Sequence, residues 1–344
     1  MNWKLLEELC NTPGVSGHER AVAEIFKRET ANIAKEAWFD NVGNFIVHVG
    51  GEGPKIALDA HTDEVGFIVN YVDDEGFIQV TPLGGIDPRV FYAQRVIVHG
   101  TEDLKGVVGA VPPHLLDKNA DRDRAVPIED AFIDLGLPAD EVQSKVKIGD
   151  IVTFDSKLED LGPAFIGKAF DDRLGLFVIL EAIKKAKKIA CDLYLVAAVQ
   201  EERGLRGAGC AAFTIKPEIA IALEGTVAND LPGVPTRKRL ATQNNGAELR
   251  ITDRALIADR ALVDYLAQIA EDNGIACQLM VKNAGTTNAT SIETSAGGVR
   301  VAAISAPVRY IHSPIGLVQK HDIECQINLL AKYLEVADKT PPRR

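Results

Sequence analysis

The sequence predicts an α/β fold interrupted by a small β-barrel, and three features predict it. Residues 55–60 (Lys-Ile-Ala-Leu-Asp-Ala), 192–199 (Asp-Leu-Tyr-Leu-Val-Ala-Ala-Val), 218–223 (Glu-Ile-Ala-Ile-Ala-Leu) and 299–304 (Val-Arg-Val-Ala-Ala-Ile) are near-continuous apolar runs. Such runs suit strands buried on both faces rather than strands with one face in water. Helical patterns at 174–184, 255–272 and 321–337 accompany them. Between residues 73 and 163 the texture changes to short strands parted by Gly, Asp and Pro, which suits an inserted barrel. The predicted division is an α/β domain of residues 1–72 and 164–344, with 73–163 as the insert.

Composition narrows the class. At 344 residues, nearly half of them hydrophobic, the chain can bury a large core and fits one large domain plus a smaller one. A formal charge of -11 argues against binding nucleic-acid phosphates or an anionic membrane. Cys10, Cys191, Cys210, Cys277 and Cys325 are scattered, odd in number and never spaced Cys-x-x-Cys, so neither a disulfide framework nor a thiolate metal site is expected. The first ten residues read as an acid-interrupted amphipathic helix, and no apolar run reaches membrane-spanning length. A cytoplasmic location is the default expectation.

Along the chain, residues 11–17 are turn chemistry leading into a helix that runs to about residue 35, with His18 near its start as a surface or capping group. Asp40-Asn-Val-Gly-Asn44 predicts a hairpin turn, and His48 fills a half-buried strand face. A further strand is expected at 67–72. Inside the insert, 77–80, 94–99 and 105–111 read as strands and 117–124 as a charged loop, with His99 and His114 structural or on the surface. The helix from 174 ends in lysines, which complement its dipole, and Asp171 and Asp172 stand where capping acids would. The last helix begins near His321.

The chemistry collects where the strands stop. The run at 192 ends in Gln200-Glu201-Glu202, the run at 55 in His61-Thr62-Asp63-Glu64, and the run at 218 in Glu224, while Arg309-Tyr310-Ile311-His312 follows the run at 299. Ligands of open α/β sheets bind in the crevice outside the strands' carboxyl ends. Two divalent ions held ~3.5–4 Å apart need imidazoles, terminal carboxylates and one carboxylate shared between them, and in return clamp a substrate oxygen and acidify a water. His61, Asp171, Glu202, Glu224 and His312 supply that inventory. Glu201 is left over as an uncoordinated base, and Asp63 suits a role orienting the His61 imidazole.

Four motifs, His61-Thr-Asp-Glu-Val-Gly, Gly167-Lys-Ala-Phe-Asp-Asp-Arg, Gln200-Glu-Glu and Arg309-Tyr-Ile-His-Ser-Pro, stand in the order and at the separations of metallopeptidase family forty-two of clan MH. The chain resembles that family, which includes the tetrahedral-shell (TET) aminopeptidases, glutamyl aminopeptidase and proteins named cellulase M, over essentially its whole length. The resemblance implies a mixed-sheet zinc-peptidase catalytic domain with an inserted small β-barrel for oligomer contacts. It implies a dinuclear aminopeptidase, zinc- or cobalt-dependent, acting on short peptides. His61 and Glu224 would bind one ion, Glu202 and His312 the other, and Asp171 would bridge. Glu201 would be the general base and acid, Asp63 would orient His61, and dimers would assemble a hollow homo-dodecamer. Glu224 and Asn288 stand where many members carry Asp.

Two rival readings were weighed. A glycan hydrolase, raised by the cellulase names, needs two carboxylates flanking a sugar bond and has no use for the two histidines. A catalytically silent shell or binding protein would be suggested by an inert residue at Glu201 or at a ligand position, and every one of those positions retains competent chemistry.

Overall fold

A computed structural model describes residues 1–109, 111–115 and 125–342 of the chain. The charged loop expected at 117–124 lies outside the described residues. In chain order the first helices are α1 (Trp3–Asn11) and α2 (Arg20–Thr30), followed by strands β1 (Glu36–Phe39), β2 (Phe45–Gly50) and β3 (Lys55–His61). Next come β4 (Gly66–Val72), β5 (Ile78–Leu83), β6 (Arg95–His99), β7 (Asp103–Gly109), β8 (Phe132–Asp134), α3 (Ala139–Lys145) and β9 (Ile151–Phe154). The chain continues through β10 (Glu159–Asp160), β11 (Ala164–Gly167), α4 (Phe170–Lys185), β12 (Asp192–Ala198), α5 (Arg206–Ile215) and β13 (Ile219–Val227). It closes with β14 (Ala247–Thr252), α6 (Arg260–Asp272), β15 (Cys277–Val281), α7 (Ala289–Glu293), β16 (Arg300–Arg309), β17 (Gly316–Gln319) and α8 (Lys320–Glu335).

The large sheet runs β1-β2-β12-β3-β13-β16-β17-β11-β10, with β14 also paired to β16 and β15 paired to β14. Its centre, β12-β3-β13-β16, is parallel, which is why the four apolar runs read as strands buried on both faces. Parallel pairing also brings their carboxyl ends to one edge: Ala198 stands beside His61, and Glu224 beside Ser305. The flanks are antiparallel, including the predicted β1–β2 hairpin, whose Asp40 carboxylate accepts the amides of Val42, Gly43 and Asn44.

The six strands β4-β5-β8-β7-β6-β9 close into a barrel around Phe67, Phe91 and Phe154. Boundaries differ from the sequence reading at several points, among them α2, which stops at Thr30 rather than near residue 35. Residues 67–72, expected in the first α/β segment, form β4 and pair with β5 and β9 inside the barrel. At the other end, β10 lies in the large sheet although it falls within the expected insert. The helix expected from 255 starts at Arg260, because Asp253 draws the amides of Ala255 and Leu256 into a turn and Asp259 caps the helix through the Leu262 amide.

Helix α4 is the buried spine of the α/β layer, apolar almost all round and packed on β13, β3 and α8. Trp3 of α1 stacks on its Phe177. Gly175 lets the helix come down on the sheet: a Cβ there would lie 2.3 Å from the Leu223 carbonyl oxygen and 2.8 Å from Ala60 Cβ. Neither the backbone nor a core alanine can yield. Among the described residues no helix is long and apolar enough to cross a membrane, and the five cysteines are unpaired. Replacing Gly175 with Ala is expected to destabilise the fold by about 1–3 kcal/mol, read as a lowered urea midpoint with the slope unchanged.

Candidate metal centre

The site forms because four strands release their chains at the same edge. Immediately after β12, Gln200 turns with φ 58, in the left-handed region, and Glu201 and Glu202 follow. Both of their amides donate to one buried carboxylate, Asp63, at 3.0 Å and 3.1 Å. Asp63 also accepts the Ser16 hydroxyl at 2.6 Å and faces His61 Nδ1 at 3.3 Å. One acid therefore fixes the histidine and the Glu201–Glu202 turn together, a wider task than the orienting role the sequence suggested.

The two aspartates before α4 divide the work. Asp171 and Asp172 both have non-helical backbone angles ahead of the regular helix, and the peptide bond between them is cis. Asp172 turns inward and accepts amides from Gly175 at 2.8 Å, His61 at 3.1 Å and Gly225 at 3.2 Å, tying α4, β3 and β13 to one point. Asp171 turns the other way, with Oδ1 3.1 Å from His61 Nε2 and Oδ2 3.2 Å from His312 Nε2. His312 comes off β16 through a loop in which it and Tyr310 both have positive φ. Its Nδ1 lies 2.9 Å from the Gly85 carbonyl, just past barrel strand β5, so the barrel segment braces a site residue.

The structure thus brings His61, Asp171, Glu202 and His312 into contact, with Glu201 Oε2 4.0 Å from His61 Nε2 and Asp63 behind it. Glu224 takes a different position. It lies inside β13, which runs on to Val227 paired with β16, rather than at the strand's end. Its Oε1 takes the Thr287 hydroxyl, and its Oε2 lies 3.9 Å from Arg250. It lines the same open cavity of about 540 Å³ as Asp171, Glu201, Glu202 and His312. His18, His48, His99, His114 and His321 stay outside the cluster, as expected. His48 pairs with Asp192 and stacks on Tyr194, and His99 is held by Asp103 and Thr153.

The protonation pattern tests whether a cation suits these groups. Both Nδ1 atoms face acceptors, the Asp63 carbonyl at 3.1 Å and the Gly85 carbonyl at 2.9 Å, so each neutral ring carries its proton there. Each Nε2 lone pair then points at carboxylate oxygens, a contact that only a proton or a cation can hold together. Taken alone, the side chains respond with protons. Burial opposes a charge on His312, but the Asp171 and Glu202 carboxylates beside its Nε2 overcome it and push its pKa up to about 11. At Glu202, burial pushes the carboxyl up against the opposing pull of His312, whose Nε2 lies 3.1 Å from Oε1. Donors around tetrahedral zinc stand about 3.3 Å apart, close to the separations here. His61, Asp171 and Glu202 each offer a ligand atom within 4.8 Å of the others. The donor set therefore fits divalent ions.

Glu201 behaves differently from its neighbours. Burial raises its carboxyl well above the usual range, and Glu202, Glu224 and Asp171 reinforce the shift against the opposing pull of His61. Nothing in the sequence isolated the second buried network, in which Lys168 Nζ sits 2.7 Å and 2.6 Å from the two Glu64 oxygens while Arg173 Nη2 lies 3.4 Å from one of them. Glu64 lies in the segment that follows His61 and Lys168 precedes Asp171, so this ion pair clamps together the two segments that carry His61 and Asp171. Both residues fell within quoted motifs, but a role for them required knowing that those segments touch.

The chain thus combines a mixed α/β sheet, a cluster of imidazole and carboxylate side chains at its parallel edge and a closed barrel. The chain belongs to the M42 glutamyl aminopeptidase family, whose model matches residues 43–329. It is 36% identical over 331 residues to a putative aminopeptidase of Acetivibrio thermocellus, covering 96% of this chain and 97% of that one. Its fold matches a TET aminopeptidase from a marine-sediment archaeon of the Thaumarchaeota with a TM-score of 0.93 and 34% identity, covering 98% and 96% of the two chains. It also matches the TET1 peptidase of Pyrococcus horikoshii, which can assemble into a tetrahedron or a large octahedral shell, with a TM-score of 0.84, 30% identity and coverage of 96% and 98%. The protein is an aminopeptidase, a hydrolase that acts on peptides.

Replacing Lys168 with Met leaves the buried Glu64 with Arg173 alone and is expected to cost about 3 kcal/mol in urea unfolding. Pairing that change with Glu64→Gln should recover part of the loss, because the stranded charge is then gone.

Proposed function

We propose that the protein is a dinuclear metallo-aminopeptidase removing N-terminal residues from short peptides, with Glu201 as general base and acid. The single observation that carries this reading is the Asp171 carboxylate, whose two oxygens face two different imidazoles. Asp171 would bridge, His61 and Glu224 would hold one ion, and Glu202 and His312 the other, with zinc or cobalt suited to the mixed imidazole and carboxylate donors. Bound there, the ions would acidify a captured water and polarise the scissile carbonyl.

The rest of the chemistry belongs to the chain. Glu201, buried and short of hydrogen-bond donors, has the raised proton affinity a base needs to take a proton from water and return it to the leaving amine. Asp63 keeps the Nε2 lone pair of His61 pointed into the site by accepting from Nδ1. The cavity beside the cluster is lined by Leu205, Val227 and Leu240 as well as by charged residues, and gives a peptide's first side chain room. No observation favours the glycan-hydrolase reading.

Finer expectations belong to the same proposal. The large sheet carries catalysis and the barrel makes contacts between copies in a dimer-built homo-dodecamer, supported by the shells of the TET1 relative and by exposed Tyr71, Val107 and Ile148 on the barrel segment. Five unpaired cysteines suit a reducing cytoplasm. Glu201→Gln is expected to keep its metal content and assembly while turnover of aminoacyl chromogenic amides falls about 10²–10⁴-fold. Wild-type turnover by that variant contradicts the assignment of the base. A chelator should abolish hydrolysis, and zinc, cobalt or manganese restore it. Activity unchanged by exhaustive chelation contradicts the metal reading.

A further inference from the structure

We propose that Glu19 is a positioning residue for Glu201, holding the backbone turn from which that carboxylate projects. The proposal rests on the assignment of Glu201 as the base. Three successive amides of this turn donate to just two side chains: those of Glu201 and Glu202 to Asp63, and that of Gln200 to Glu19 Oε1 at 3.0 Å. The same Glu19 oxygen accepts the Gly17 amide at 2.8 Å. Glu19 is 5% exposed, and no lysine, arginine or histidine pairs with it among the described residues, so it serves neither a surface charge nor an ion pair.

The loop at residues 15–19 is anchored on the site side at three points. Val15 forms a bridge with Glu64, Ser16 donates to Asp63 at 2.6 Å, and Glu19 reaches Gln200. Gln200 needs such a hold. Its φ of 58 lies in the left-handed region, which disfavours a residue with a Cβ, and the strand ends before it, leaving its amide without a sheet partner. Asn44 holds the Val199 amide before the turn, and the Arg206 and Leu205 amides hold the Gln200 and Glu201 carbonyls after it, so without the Glu19 acceptor the Gln200 amide at the left-handed residue itself is the one left loose, and the peptide leading into Glu201 can tilt. A displacement of about 1 Å at a reacting group costs on the order of 10²-fold in rate. Glu19 does not line the cavity, so substrate capture does not depend on it.

The experiment compares Glu19→Ala, Glu19→Gln and Glu201→Gln with wild type by steady-state kinetics, metal content and hydrogen exchange at the Gln200 amide. Glu19→Ala is expected to lower kcat about 10-fold or more, with KM within about twofold, metal content unchanged and faster Gln200 exchange. Glu19→Gln keeps a side-chain oxygen as acceptor and recovers most of kcat. Glu19→Met, which fills the volume without an acceptor, replaces the alanine variant if that one does not fold, with the same expectation. Wild-type kcat in Glu19→Ala or Glu19→Met beside an inactive Glu201→Gln overturns the positioning role and leaves the base assignment standing. A Glu19→Gln variant as slow as Glu19→Ala also overturns it, because the acceptor is then not what matters. Full activity in Glu201→Gln sinks the underlying assignment instead, whatever the Glu19 variants do.

Discussion

The carboxylate of Asp171 sits between two imidazoles that are 251 positions apart in the chain, and both turn their unprotonated nitrogens toward it. Such a contact is repulsive between neutral rings and a carboxylate unless positive charge lies between them. Most of what is unusual nearby answers to that constraint. Parallel strands bring His61 and the Glu201–Glu202 turn level with each other, a tight helix start aims Asp171 at them, and a left-handed turn swings His312 over the top. Together these features gather imidazoles and carboxylates at one point.

Holding the arrangement takes a layer of buried polar groups behind it. Asp172 binds three amides from three elements, Asp63 binds a histidine, a hydroxyl and two amides, and Glu64 is held by Lys168 and Arg173. Burial pushes the Asp172 carboxyl well up, with Glu224 and Asp171 adding to it against His61. Such networks contribute little net stability, because desolvation offsets most of the pairing. Their value is geometric. A carboxylate with every oxygen engaged cannot swing, and the reacting groups inherit that rigidity.

How much of this was legible in the sequence depended on whether a signal was local. The four buried strands announced themselves because strands covered on both faces are continuously apolar, and His61, Glu202 and His312 stood out because ligand-type residues followed those runs. The end of β13 was read too early, since Glu224-Gly-Thr-Val looks like a turn until β16 is seen to pair with it through Val308. The strand at 67–72 was given to the wrong sheet because its pattern says strand but not which partner. Glu19 and Lys168 were invisible as site residues for the same reason: each acts on a segment more than a hundred positions away, and one sequence carries no record of contacts.

The most direct measurement is anomalous diffraction from crystals grown with zinc or cobalt. Two peaks flanking the Asp171 carboxylate, one within coordination distance of His61 and the other within coordination distance of His312 and Glu202, with Glu201 bound to neither, is the result this account predicts. A single peak away from Asp171, or Glu201 itself ligating an ion, would contradict it.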